Sequence, residues 1–154
     1  MKVLLLLLLS VAGCDAASVL AGPDPTTQII PTVVVAELDP NDWKTDPLDI
    51  AEYVISADAL RLHVRYAGGC KPHTFAFVVS SDFVERLESG QGPAVETEGL
   101  IVHLAHGDLC ERLVQDTLVA ELTALKGAYQ AAYETDSGAI VMIFDPETQV
   151  RYEF

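Results

Sequence analysis

Residues 60–66 read LRLHVRY. Leu60, Leu62, Val64 and Tyr66 fall in one phase and Arg61, His63 and Arg65 in the other. That is the period-two alternation of a strand with one face in a core and one in water. TFAFVVS, residues 74–80, repeats it with Phe75, Phe77 and Val79. LIVHLAH, residues 100–106, has apolar side chains in both phases, so cover is expected on both faces, with Leu100, Val102 and Leu104 turned inward. Further strands are expected over 33–38, 51–56, 117–122, 140–144 and 150–154, with turn formers such as Ser56-Ala57-Asp58-Ala59 and Asp145-Pro146-Glu147-Thr148 between them. Seven or eight short strands with turn signals predict an all-β fold, an antiparallel β-sandwich of immunoglobulin-like or barrel-like form. One short helix also fits within 118–133, where Leu118, Leu122, Leu125 and Tyr129 keep helical spacing, although Gly127 opposes it. Residues 88–99, ESGQGPAVETEG, read as a solvated polar connection, and Ser80-Ser81-Asp82 as a capped turn.

The N-terminus follows another pattern. MKVLLLLLLSVAGC opens with one lysine, runs apolar from Val3 to Leu9 and ends in small residues before Cys14. This is the layout of a secretory signal, and the apolar run falls short of the about 20 residues that span a bilayer. Val11-Ala12-Gly13-Cys14 resembles the lipobox of bacterial lipoproteins. The resemblance implies a diacylglyceryl thioether on Cys14, cleavage that leaves Cys14 first, and a further acyl chain such as palmitate on its amine. Two or more chains anchor a protein stably where one does not. The expected organisation is a signal peptide over 1–13, a lipidated N-terminus and tether over 14–32, and a single β-rich domain over 33–154. Pro23, Pro25 and Pro31 suit the tether, with a strand at 28–30 as the alternative.

Charge narrows the partners. The 154 residues carry 23 Asp and Glu against nine Lys and Arg, a formal net charge of −14, and losing residues 1–13 would remove Lys2 as well. So acidic a surface repels phosphate backbones and anionic headgroups, which argues against nucleic acid and against a basic membrane-binding patch. The partners left are the bilayer, reached through acylated Cys14, and an envelope protein or small ligand. The expected location is the cell envelope, outside the cytoplasm.

Three cysteines in an exported chain leave one over. With lipid on Cys14, Cys70 and Cys110 remain as a pair, most simply a disulfide where no cytosolic system keeps thiols reduced. Each follows a glycine-containing turn, with Gly68 and Gly69 before the first and Gly107 before the second. His73, His103, His106 and Asp108 lie near them in sequence. Their donors could hold zinc or another divalent transition metal with a position open to water, as in a metal-dependent envelope enzyme. The competing reading has no cofactor: His73 and Asp108 satisfy backbone groups in tight loops, and His103 points out from its strand. No H-E-x-x-H or C-x-x-C spacing favours a metal, and the chain has no G-x-S-x-G elbow or phosphate-binding glycine loop. A nucleophilic Cys70 would need a free thiolate, which a disulfide denies it. The balance favours a non-enzymatic binding or structural domain.

YAGGCKPHTF, followed some thirty residues later by HLAHGDLCE, also resembles the C-terminal β-sandwich of the NigD-like bacterial lipoproteins. Gly68, Gly69, Cys70, His73, Phe75, His103, Asp108 and Cys110 carry the likeness, which spans roughly residues 60–125. It implies a β-sandwich in the envelope and no particular chemistry. Those lipoproteins have a further N-terminal β-domain, for which residues 17–56 are too short.

Overall fold

The alternation in LRLHVRY produces a strand over Ala59–Ala67, buried at every second position from Leu60 to Tyr66. A computed structural model describes residues 26–86 and 94–154. In chain order the described strands are β1 (Thr26–Ile30), β2 (Thr32–Val35), β3 (Asp49–Ser56), β4 (Ala59–Ala67), β5 (Thr74–Ser80), β6 (Val84–Arg86), β7 (Ala94–Leu104) and β8 (Leu113–Glu121), then helix α1 (Thr123–Tyr133), β9 (Ala139–Ile143) and β10 (Gln149–Glu153). One sheet has the order β1-β8-β4-β3, the other β10-β9-β7-β5-β2, with β6 beside β7.

The inward phases of the two sheets share one core. Leu60, Leu62 and Val64 of β4 and Leu118 of β8 meet Phe77 of β5, Ile140 and Met142 of β9 and Tyr152 of β10, all at most 1% exposed. This is an all-β sandwich with one short helix. Its pairing is mixed where antiparallel pairing was expected: β1 with β8, β2 with β5 and β7 with β9 run parallel. The first two arise from one stretch of chain, which follows β8 in the first sheet and, after Pro31, follows β5 in the second. The third arises because β8 carries the chain back to the end where β7 begins, and α1 links it there to β9, which runs beside β7.

Three further expectations are corrected. The tether assigned to 14–32 ends earlier, because Thr26–Ile30 is in register with Asp116 to Ala120 of β8. Ladder hydrogen bonds outweigh a proline-bounded, unpatterned sequence, and Pro31 sits between two edge strands, where a missing amide costs least. The signal peptide, Cys14 and the tether up to residue 25 lie outside the described residues. Residues 94–99 are strand, with Val95 opposite Ile140, whereas 88–99 was expected to be a loop; its first part, to residue 93, is also outside the described residues.

The phase of β7 is opposite to expectation. Ile101 and His103 face the central core, whereas Leu100, Val102 and Leu104 face the outer side with Val78 of β5, where Leu38 and Trp43 cover them. Phe77 pairs with Ile101 and Phe75 with His103, and paired residues share a face. In β8 and α1, strand runs to Glu121 and helix begins at Thr123, which is why 118–133 fits both patterns. Gly127 is tolerated on the open side of α1, where an added Cβ would meet nothing within 4 Å.

Candidate functional site

β4 and β8 end together at the pair Ala67 and Leu113, so the loops before β5 and before β8 meet at one end of the sandwich. Cys70 and Cys110 join them in a disulfide, with Cα atoms 6.0 Å apart. Asp108 reinforces the junction. Its Oδ2 accepts the backbone amides of Cys70 (2.9 Å) and Lys71 (3.0 Å), and its Oδ1 accepts that of Cys110 (3.0 Å). The Cys110 amide is the largest cause holding its carboxyl well below the usual range, with the Lys71 amide, His73 and the Cys70 amide adding to it. Gly107, at φ +68, makes the turn before it, and the Lys71 ammonium donates to the Gly107 carbonyl at 2.8 Å.

His73 and His103 form the inner part of the cluster. His73 Nε2 lies 3.2 Å from Asp108 Oδ2, and its Nδ1 lies 2.7 Å from His103 Nε2. His103 Nδ1 in turn lies 3.2 Å from the Pro47 carbonyl and 3.3 Å from that of Asp46. Both rings are buried, with 3% of the His73 side chain and 1% of His103 exposed. Hydrogen bonding fixes the proton positions. Carbonyls only accept, so His103 Nδ1 carries a proton, and ionised Asp108 requires one on His73 Nε2. The contact between the rings then needs a third. Burial pushes the His103 pKa down, which disfavours a charge on that ring.

Local sequence explains the placement. Gly68 has φ +150, and a Cβ there would collide with the His73 ring and stand 3.2 Å from Asp108 Oδ2. Segment 45–47 docks on β7: the Asp46 amide donates to the His103 carbonyl at 2.7 Å, and Asp46 Oδ2 accepts the Ala105 amide at 2.7 Å. Phe75 stacks on His103 at 4.9 Å and 6°, and Tyr66 packs against His73 at 4.7 Å. Below them the Tyr66 hydroxyl donates to buried Asp116, which also accepts the Thr26 amide (3.1 Å) and the Gln28 side-chain amide (3.1 Å). One carboxylate thus pins β1 and the base of the aromatic stack.

The fold brings His73, His103 and Asp108 together but not His106. The His106 ring is exposed and sits 2.7 Å from Thr74 Oγ1, on a backbone with φ +51. The expectation that His103 points out of its strand is corrected, since it faces inward with Ile101. The three clustered side chains do not aim lone pairs at one point: Asp108 meets one ring nitrogen of His73 and His103 meets the other. Asp116, Tyr66 and the carbonyls of Asp46 and Pro47 were not anticipated. Asp116 had a signal, as an acid in the inward phase of β8 between Val114 and Leu118; the carbonyls had none.

A cleft of about 570 Å³ opens behind the 45–47 segment. Leu48, Ile50, Ile101 and Phe144 contribute apolar surface, while Asp49 and Glu147 contribute carboxylates. No helix among the described residues is long and apolar enough to cross a membrane.

No protein-family model and no curated protein matches the chain. Solved structures that resemble it include a NigD-like immunity protein from Bacteroides caccae, 21% identical with a TM-score of 0.48 over 82% of this chain. Another is a protein of unknown function, DUF1344, from Bacteroides vulgatus, 14% identical with a TM-score of 0.42 over 84% of this chain. The chain spans 63% of the first protein and 56% of the second.

Proposed function

We propose that the chain is a lipid-anchored cell-envelope protein whose β-sandwich is a non-enzymatic binding or structural module. One observation carries the non-enzymatic half: the polar groups at the disulfide end are used up on one another. The Asp108 oxygens accept three amides and the His73 ring, both ring nitrogens of His103 are engaged, and both sulfurs are joined. Nucleophilic catalysis needs a free nucleophile and metal catalysis an open coordination position, and this cluster offers neither without rearrangement. The cleft beside it supports the binding half, because apolar surface with a few carboxylates suits a small ligand. The anchoring half rests on the short apolar signal ending in Val11-Ala12-Gly13-Cys14.

Two measurements test the reading. Cys14→Ser should move the protein out of the membrane fraction or leave it unprocessed, and the intact mass of the wild-type protein should include acyl chains on Cys14. Metal content of the untagged protein addresses the metalloprotein alternative. Stoichiometric zinc that is lost in His73→Asn would replace the cofactor-free reading.

A further inference from the structure

We propose that the disulfide end is the membrane-facing end of the sandwich, where Leu109 and Leu113 contact the lipid surface; this rests on the anchoring at Cys14 proposed above. Leu109 is 92% exposed and Leu113 is 63% exposed. Leu109 lies between Asp108, fixed by backbone amides of both loops, and Cys110, fixed by the disulfide. The loop therefore holds a leucine in water on a rigid support. Scattered exposed leucines are ordinary; Leu109 is held out by these constraints, and Leu113 begins the next strand at the same end of the sandwich.

The occupant follows from where the chain enters. β1 begins at Thr26, beside Asp116, which pairs with Val64 on β4. That point is roughly 10 Å along the strands from the Ala67–Leu113 pair that closes the ladder at the disulfide end. β1 runs parallel to β8, so the chain arrives at that end and travels away from it. Twelve residues, 14–25, separate Cys14 from that entry point, a span of at most roughly 40 Å.

Charge agrees. The chain as a whole is at −14, yet at this end Lys71 and Arg112 stand among Asp46, Asp108 and Glu111, so the acidic excess is smaller there. Such an end can approach headgroups with less repulsion than the rest of the surface would meet.

Tryptophan fluorescence tests the orientation without touching the cysteines. In full-length, lipidated Trp43→Phe protein, Leu109→Trp probes the proposed tip and Asp136→Trp the opposite end, before β9. Each variant is reconstituted in phosphatidylethanolamine–phosphatidylglycerol vesicles containing brominated phosphatidylcholine. Leu109→Trp should shift to the blue and be quenched several-fold more than Asp136→Trp, with melting temperatures matching the parent. Equal quenching, or stronger quenching at 136, in protein that floats with the vesicles would overturn the orientation and leave the anchor standing. Wild-type protein that does not float would sink the anchor, and this proposal with it.

Discussion

The Cys70–Cys110 bridge closes a loop with a sequence separation of 40. In the chain-entropy model that closure restricts the unfolded chain by about 4 kcal/mol. The folded state gives little of this back. Asp108 ties both loops through three backbone amides, and the Gly68 amide donates to the Arg112 carbonyl at 2.9 Å, so the loops stay together without the sulfur bond. Cys70→Ser/Cys110→Ser should therefore keep the fold but unfold earlier. Taking unfolding entropy as about 2.1 cal/mol/K per residue over the domain from Thr26 onward, the melting temperature should fall by roughly 15 °C. Circular dichroism melts of the wild-type protein with and without reductant, beside the double variant, measure it. The near-ultraviolet spectrum before the transition should be nearly the same in all three. An unchanged melting temperature, or two thiols that label in the unreduced denatured protein, would refute the reasoning.

Phe77 is fully buried with its ring 5.7 Å from that of Phe144, so Phe77→Ala should cost about 3–5 kcal/mol in urea unfolding. Asp116→Ala removes the acceptor that holds Thr26 and Gln28, and hydrogen exchange should quicken across 26–30 while β4 stays protected. The His103 pKa is lowered from 6.5, chiefly by burial, so an NMR titration should give a midpoint below 6.5. In that window the unfolded chain binds a proton that folded His103 refuses, so its contribution to stability is lost as pH falls. The Asp108 carboxyl is held down by backbone amides. Its stabilisation is present above pH 3.8 and lost as pH falls through the acid range, and Asp108→Asn should flatten the acid limb of the melting curve.

The strands with one wet face were legible because their chemistry differs between faces: Arg61, His63 and Arg65 could not share a core with Leu62. β7 lacks that contrast. Its outer phase is covered by the segment from Leu38 to Trp43, so both phases are apolar and alternation gives the strand without its direction. A one-residue shift in reading reverses every side chain. β1 stood only as the alternative, at 28–30, for a related reason. As an edge strand its residues are largely exposed, with Ile29 at 82%, and its stability comes from main-chain pairing and from Asp116, a partner 90 residues away. Parallel pairing depends on how distant segments meet, which no local pattern records.

The candidate site divides along the same line. Residue types near the two cysteines are visible in the sequence, and so is the reason for the loops to meet. What separates a metal centre from a structural cluster is which nitrogen of each ring faces which partner, and that is set by segment 45–47, far away in the chain. Its carbonyls fix a proton on His103 Nδ1 and leave His103 Nε2 facing His73 Nδ1 at 2.7 Å. Asp108, held by the loops, takes the other His73 nitrogen. Once both ends of the imidazole pair are committed, the inner nitrogens face each other at hydrogen-bond distance, and a proton between them satisfies both. A metal inserted there would find two nitrogens rather than three or four ligands. Recruiting Asp108 would mean turning His73 and breaking the contacts that hold the disulfide loops. Three histidines and an aspartate in sequence therefore become a pair of rings that braces a loop junction, with His106 left outside it.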